Sequence, residues 1–243
     1  MKKTIIWLLI ALASFLIGAV SVALYRFESE TPVIHESVQV AEDFDCKNPK
    51  SFPGRSRKIS ELKKLKNGPF PENALNDRWE NEDRLLDDWY GKHLRAMREK
   101  SLLDISDKNT ETYRFLWLRT FHHPIAVTAI REGYSFRMVS RELDGAGGYE
   151  PGKMHRTDNI ELSKDQWCKL IKLLDDASYW NMPPHQRDES GEDGAQWVLE
   201  GVSDNRYHLV DRWSPATGEF REACLYLLEL SGRTADGLKE NLY

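Results

Sequence analysis

Glu200 and His208 are the side chains of this 243-residue chain best placed to do chemistry together. A carboxylate beside an imidazole orients the ring and favours its charged form. Arg206 and Arg212 sit at even spacing around His208, so an extended segment presents all three on one side. Ala195–Val202 and Arg206–Trp213 read as a hairpin, joined by a three-residue loop, Ser203-Asp204-Asn205, with Asn205 in the left-handed position. In that register Trp197, Leu199, Tyr207, Leu209 and Trp213 share one face. Glu200, Arg206, His208 and Arg212 share the other. An even loop would set Trp197 and Leu199 beside His208 and Arg212, and is rejected on that ground. A second hairpin, turning at Glu132-Gly133, adds Thr128, Arg137 and Arg141 to its own polar face. If both hairpins share a sheet, Glu200, His208, Arg212, Arg137 and Arg141 form a candidate binding face for an anion or acidic peptide. The competing reading is a solvated face of cross-strand charge pairs. The register also predicts that His208 titrates above its usual value.

The other chemistry-bearing residues fit simpler explanations. His122 and His123 are adjacent in an extended segment and point to opposite faces, and no HExxH spacing occurs. No metal site and no cofactor are expected. Asp188 to Gly194 is acidic, but its glycine falls one place late for a calcium loop and Leu199 stands where the final glutamate belongs. The Gly-rich stretch 144–152 lacks the lysine of a phosphate loop and reads as a turn. Ser214 reads as a helix cap followed by Pro215, and no GxSxG is present.

These residues depend on a scaffold of strands, a helix, a hairpin and a second helix. Tyr113–Phe121, Pro124–Arg131, Tyr134–Leu143 and a short segment ending near Leu162 read as strands. Ser163 and Gln166 form a capping box, and Leu162 with Trp167 forms its hydrophobic staple. The helix that follows presents Trp167, Leu170, Ile171 and Leu174 together. After Ser214, a last helix turns Phe220, Cys224, Leu227 and Leu228 inward and closes at Gly232. The fold class is α+β, an antiparallel sheet of hairpins with helices on one face, spanning residues 113–232. Before it, residues 73–104 read as an amphipathic helix capped by Asn73, with acidic residues early and basic ones late.

The N-terminal quarter speaks to location. Lys2 and Lys3 precede an uncharged apolar run from Ile5 to Tyr25, about the 20 residues that cross a bilayer as a helix. Residues 4–25 are a transmembrane anchor or a cleaved signal peptide, with small residues at Ser21 and Ala23 for a cut. The basic N-terminus stays in the cytoplasm and the remainder faces outward, periplasmic or extracellular. Residues 26–72 read as a flexible linker: six acidic residues lie in 28–45 and eight basic ones in 47–66, with scattered Pro and Gly. A net charge of −5 argues against a nucleic-acid partner. The three cysteines, Cys46, Cys168 and Cys224, leave at least one thiol unpaired within the chain.

The segments YRFLWLRTFHHP (113–124), GGYEPG (147–152), DGAQWVLEGV (193–202) and YHLVDRWSP (207–215) resemble a family of uncharacterised bacterial exported or membrane-anchored proteins. The resemblance spans residues 113–232 and implies a shared domain without carrying over any catalytic residue. Two functions follow as expectations. One is a membrane-anchored, non-catalytic envelope domain that binds a peptide, protein or anionic ligand. The other is an envelope hydrolase centred on His208 and Glu200.

Overall fold

The ten residues Thr110–Arg119 form a strand buried along its whole length, which requires a sheet covered on both faces. The structure, a computed structural model, describes residues 46, 55–66, 68–75, 85–105, 109–186 and 193–233. The 4–25 segment, linker residues 26–45 and 47–54, and residues 188–192 of the acidic turn lie outside the described residues, as do 76–84 of the expected amphipathic helix. No helix among the described residues is long and apolar enough to cross a membrane.

The strands are β1 (Arg57–Lys58), β2 (Thr110–Arg119), β3 (Ile125–Glu132), β4 (Ser135–Leu143), β5 (Met154–Glu161), β6 (Ala195–Ser203) and β7 (Arg206–Trp213). They make one sheet in the order β1-β7-β6-β2-β3-β4-β5, antiparallel at every pairing. The helices are α1 (Gly91–Ala96), α2 (Leu102–Ile105), α3 (Lys164–Asp176) and α4 (Glu219–Leu230). Strands β2 to β5 meander. The chain then passes through α3 and returns on the far side of β2 as the β6–β7 hairpin. This is the antiparallel α+β class expected from the strand and helix order.

One face of the sheet packs against α3 and α4. Phe115, Trp117, Trp197, Leu199 and Val210 meet Trp167, Leu170, Ile171, Leu174, Phe220 and Leu227 in one core. Helix α3 starts at the expected capping box: Gln166 N donates to Ser163 Oγ at 3.1 Å and Ser163 N to Gln166 Oε1 at 2.8 Å. Gly232, at φ +74°, closes α4. Ser214 is not its cap. The helix begins at Glu219, and the Ser214 hydroxyl accepts instead from Ala195 N at 2.8 Å.

The opposite face is also covered, which corrects two expectations. Leu116, Leu118, Val198, Val202, Tyr207 and Leu209 pack against Phe70, Leu75, Leu86, Tyr90, Leu94, Met97 and Leu102. The described part of the 26–72 linker therefore belongs to the fold: β1 pairs with β7, and Phe70 is fully buried. Isolated apolar residues such as Ile59, Leu62, Leu65 and Phe70 seat this segment without any periodic pattern. Nor is 73–104 one helix. Asn73 is left-handed at φ +52°, a π turn over Leu85–Tyr90 runs into α1, and Arg98 at φ +58° ends it before α2 begins.

Burial on both faces also explains the register of the β6–β7 hairpin. Its loop has two residues, Asp204 and Asn205, both left-handed at φ +48° and +58°, the geometry of a tight hairpin turn. Ser203 faces Arg206, Gly201 faces His208 and Glu200 faces Leu209. The rejected even loop is the one that forms. Alternation sets register only where one face is wet, and here both alternating sets are core. The β3–β4 hairpin turns through Gly133 and Tyr134, with Glu132 facing Ser135.

Candidate functional site

The expected five-residue face does not assemble. Cross-strand pairing puts Glu200 on the side of α1 and α2, with Thr128, Arg137 and Arg141, whereas His208 and Arg212 lie on the side of α3 and α4. Glu200 is buried and accepts two hydrogen bonds from Arg114, at 2.8 and 2.5 Å, and one from the Tyr207 hydroxyl at 2.8 Å. Arg141 pairs with Glu99, which also meets Arg114 at 3.3 Å, so these charges fasten the α1–α2 connection to the sheet. Arg137 pairs with Glu132 at the surface. His208 packs edge-on to Tyr179 and lies 3.1 Å from the Met182 carbonyl. Burial pushes its pKa down to about 4, the reverse of the expected direction, and Arg212 adds to the shift. Arg212 donates to the Pro183 carbonyl at 2.8 Å and lies over Phe220. These groups knit the interior, and the hydrolase dyad of His208 and Glu200 does not exist.

Accessible chemistry collects where the β2–β3 and β4–β5 connections meet. The Gly-rich loop folds on itself: Asp144 N donates to Lys153 O at 2.9 Å, Gly145 N to Pro151 O at 3.1 Å and Ala146 N to Glu150 O at 3.0 Å. Gly147 and Gly148 then donate to the His122 and Thr120 carbonyls at 3.0 and 3.1 Å. A Cβ on Gly147 would stand 2.6 Å from the backbone of Arg119, so only glycine allows this approach. Trp89 Nε1 fixes the loop from the other layer, donating to Gly147 O at 2.8 Å. On these pinned loops Phe121 and Tyr149 are 61% and 57% exposed, with ring centroids 6.1 Å apart.

The same connections bring together His123, Glu142 and His155, whose nearest donor atoms all lie within 4.8 Å of one another. His155 is the extra residue of a bulge: Glu142 faces Arg156, and Leu143 faces Met154. Such a bulge re-aims its extra side chain. His123 Nδ1 lies 2.8 Å from Glu142 Oε1, and Arg233 binds the other carboxylate oxygen. Burial pushes the Glu142 carboxyl up, but the hydrogen bonds from His123 and Arg233 outweigh it and hold it below the ordinary range. Sequence reasoning missed this trio. Its members are separated by 19 and 13 residues, and only the sheet pairing and the bulge unite them.

No family model, curated protein or solved structure matches the chain.

Proposed function

We propose that this chain is a membrane-anchored domain, facing away from the cytoplasm, that binds a protein or peptide and performs no catalysis. The observation that carries the binding reading is the Phe121–Tyr149 pair. Two large aromatic side chains stand open to solvent on loops already fixed by backbone hydrogen bonds and by Trp89. Exposed aromatics held on a preorganised surface are the residues that contribute most at protein interfaces. The partner this surface suits presents an apolar side chain between two rings.

Location rests on separate support. The apolar run behind Lys2 and Lys3 has the length and flanking charge of an anchor with its N-terminus inside. Cys46 and Cys168 are disulfide-bonded, a state that persists in oxidising compartments. The buried ion pairs around Glu200 and the neutral His208 favour a structural role for the groups that would otherwise suggest a hydrolase.

The test is site-specific photo-crosslinking of the full-length chain in its own membranes. A benzophenone amino acid at position 121 or 149 should give a discrete adduct with one protein. The same probe at Tyr134, which is 89% exposed at the opposite end of β4, should not. Absence of adducts at 121 and 149, or identical adducts from 134, would count against this reading.

A further inference from the structure

We propose that His123, Glu142 and His155 form a binding site for a divalent transition-metal ion of the zinc type. Two imidazole nitrogens and one carboxylate oxygen are a donor set that zinc accepts, and three protein ligands leave a coordination position free. Calcium and magnesium call for all-oxygen shells, and thiolate-seeking metals find no accessible sulfur here, since Cys46 and Cys168 are joined and Cys224 is buried.

The geometry is close to what coordination demands. Donors about 2.0–2.1 Å from a tetrahedral zinc lie about 3.4 Å apart. In the protein His123 Nδ1 and Glu142 Oε1 are 2.8 Å apart, and all three donors fall within 4.8 Å. Small rotations of the two rings close the set, and both rings have room: His155 is exposed and His123 half-buried. Glu142 is already oriented, because Arg233 holds its second oxygen and is itself fixed by Ser140 Oγ at 3.0 Å. Outer hydrogen bonds of this sort aim a ligating carboxylate.

The neighbouring positive charges all have partners. Arg156 pairs with Asp158 at 2.7 Å, Arg233 spans Glu142 and Asp158, and the Arg119 guanidinium stacks on Trp117 at 4.1 Å. The bulge strengthens the case. In an unbulged ladder His155 would pair with Leu143 and point to the face away from Glu142.

The experiment uses the full-length chain in detergent, purified without a polyhistidine tag and stripped of metal. Cobalt(II) titration, followed by visible absorption, should saturate at one equivalent per chain, and zinc should displace it. His155→Ala and His123→Ala should each weaken cobalt binding at least about 100-fold, while His185→Ala leaves it unchanged. Far-UV circular dichroism should be unaltered in the His155 variant, because that ring is exposed. If His123→Ala does not fold, His155→Ala and His155→Asn decide the matter. Failure to saturate at one equivalent, or a one-equivalent band that survives loss of His155, would overturn the proposal.

Discussion

Arg114 clamps a single oxygen of Glu200, donating from Nε at 2.8 Å and from Nη2 at 2.5 Å, with both side chains closed to water. They face each other across β6 and the central strand β2. Tyr207 satisfies the other oxygen of Glu200, and Glu99 with the Lys100 carbonyl takes up the rest of the guanidinium. Two desolvated charges are tolerable because every polar atom between them is matched.

Removing one member leaves the other buried without compensation. Arg114→Met should therefore cost about 3–5 kcal/mol in urea unfolding. Replacing both, as Arg114→Met with Glu200→Leu, should cost clearly less than the sum of the two single changes. Additive losses would mean that the two charges do not depend on each other.

Gly201 supplies a second sharp test. A Cβ there would stand 2.9 Å from the Tyr179 ring and hydroxyl and 3.0 Å from Tyr113. Tyr179 lies flush on the strand, its hydroxyl within reach of the Leu199 and His208 carbonyls at 3.2 and 2.9 Å. Gly201→Ala should cost about 1–3 kcal/mol by overpacking, read from the chemical-denaturation midpoint. A loss below about 0.5 kcal/mol would mean that Tyr179 moves aside freely.

Local signals in the sequence located the elements well and their partners less well. The capping box at Ser163, the inward face from Trp167 to Leu174 and the Gly232 stop each depend on neighbours a few residues apart, and each stands in the structure. The β6–β7 register depended on an assumption about water. Polarity alone places His208, Arg212 and Glu200 on a wet face, yet the described residues of 55–105 cover one side and α3 with α4 the other. Once both faces are dry, polarity no longer reports direction. The second layer was itself hard to see, because Phe70, Leu75 and Leu86 follow no single period. The metal-ligand trio was invisible for a related reason: a bulge opposite Glu142 has no signature in local composition.

Burial makes acid stability a property of two histidines. Burial pushes the pKa values of His208 and His93 down to about 4 from an ordinary 6.5, with Arg212 and Lys92 adding respectively to the two shifts. In the unfolded chain both bind protons near pH 6.5, so the unfolded state holds more protons between about pH 6.5 and 4. Stability must fall as pH drops through that window. Glu111 and Glu200, which burial pushes up, tilt the other way, so the useful quantity is a difference. Relative to wild type, the His208→Gln, His93→Gln double variant should lose less stability between pH 7 and 4.5, by a few kcal/mol. Equal losses would show that neither ring is held neutral.

Cys46 and Cys168 carry the last prediction. Their Cα atoms are 5.0 Å apart and the disulfide spans 122 residues, tying the start of the described chain to α3. Closing so long a loop restricts the unfolded chain, and loss of such a bridge typically costs about 2–5 kcal/mol. Cys224 stays outside it as a buried thiol, whose pKa burial raises well above the usual value, so it should resist alkylation while the protein is folded. Protein taken from membranes without reductant should accept one alkyl group on unfolding in denaturant and three after reduction. Cys46→Ser should lower the unfolding midpoint by an amount similar to that produced by reducing the wild type. Three additions without reductant would mean that the pair stays reduced in the cell and that the bridge does not mark an oxidising compartment.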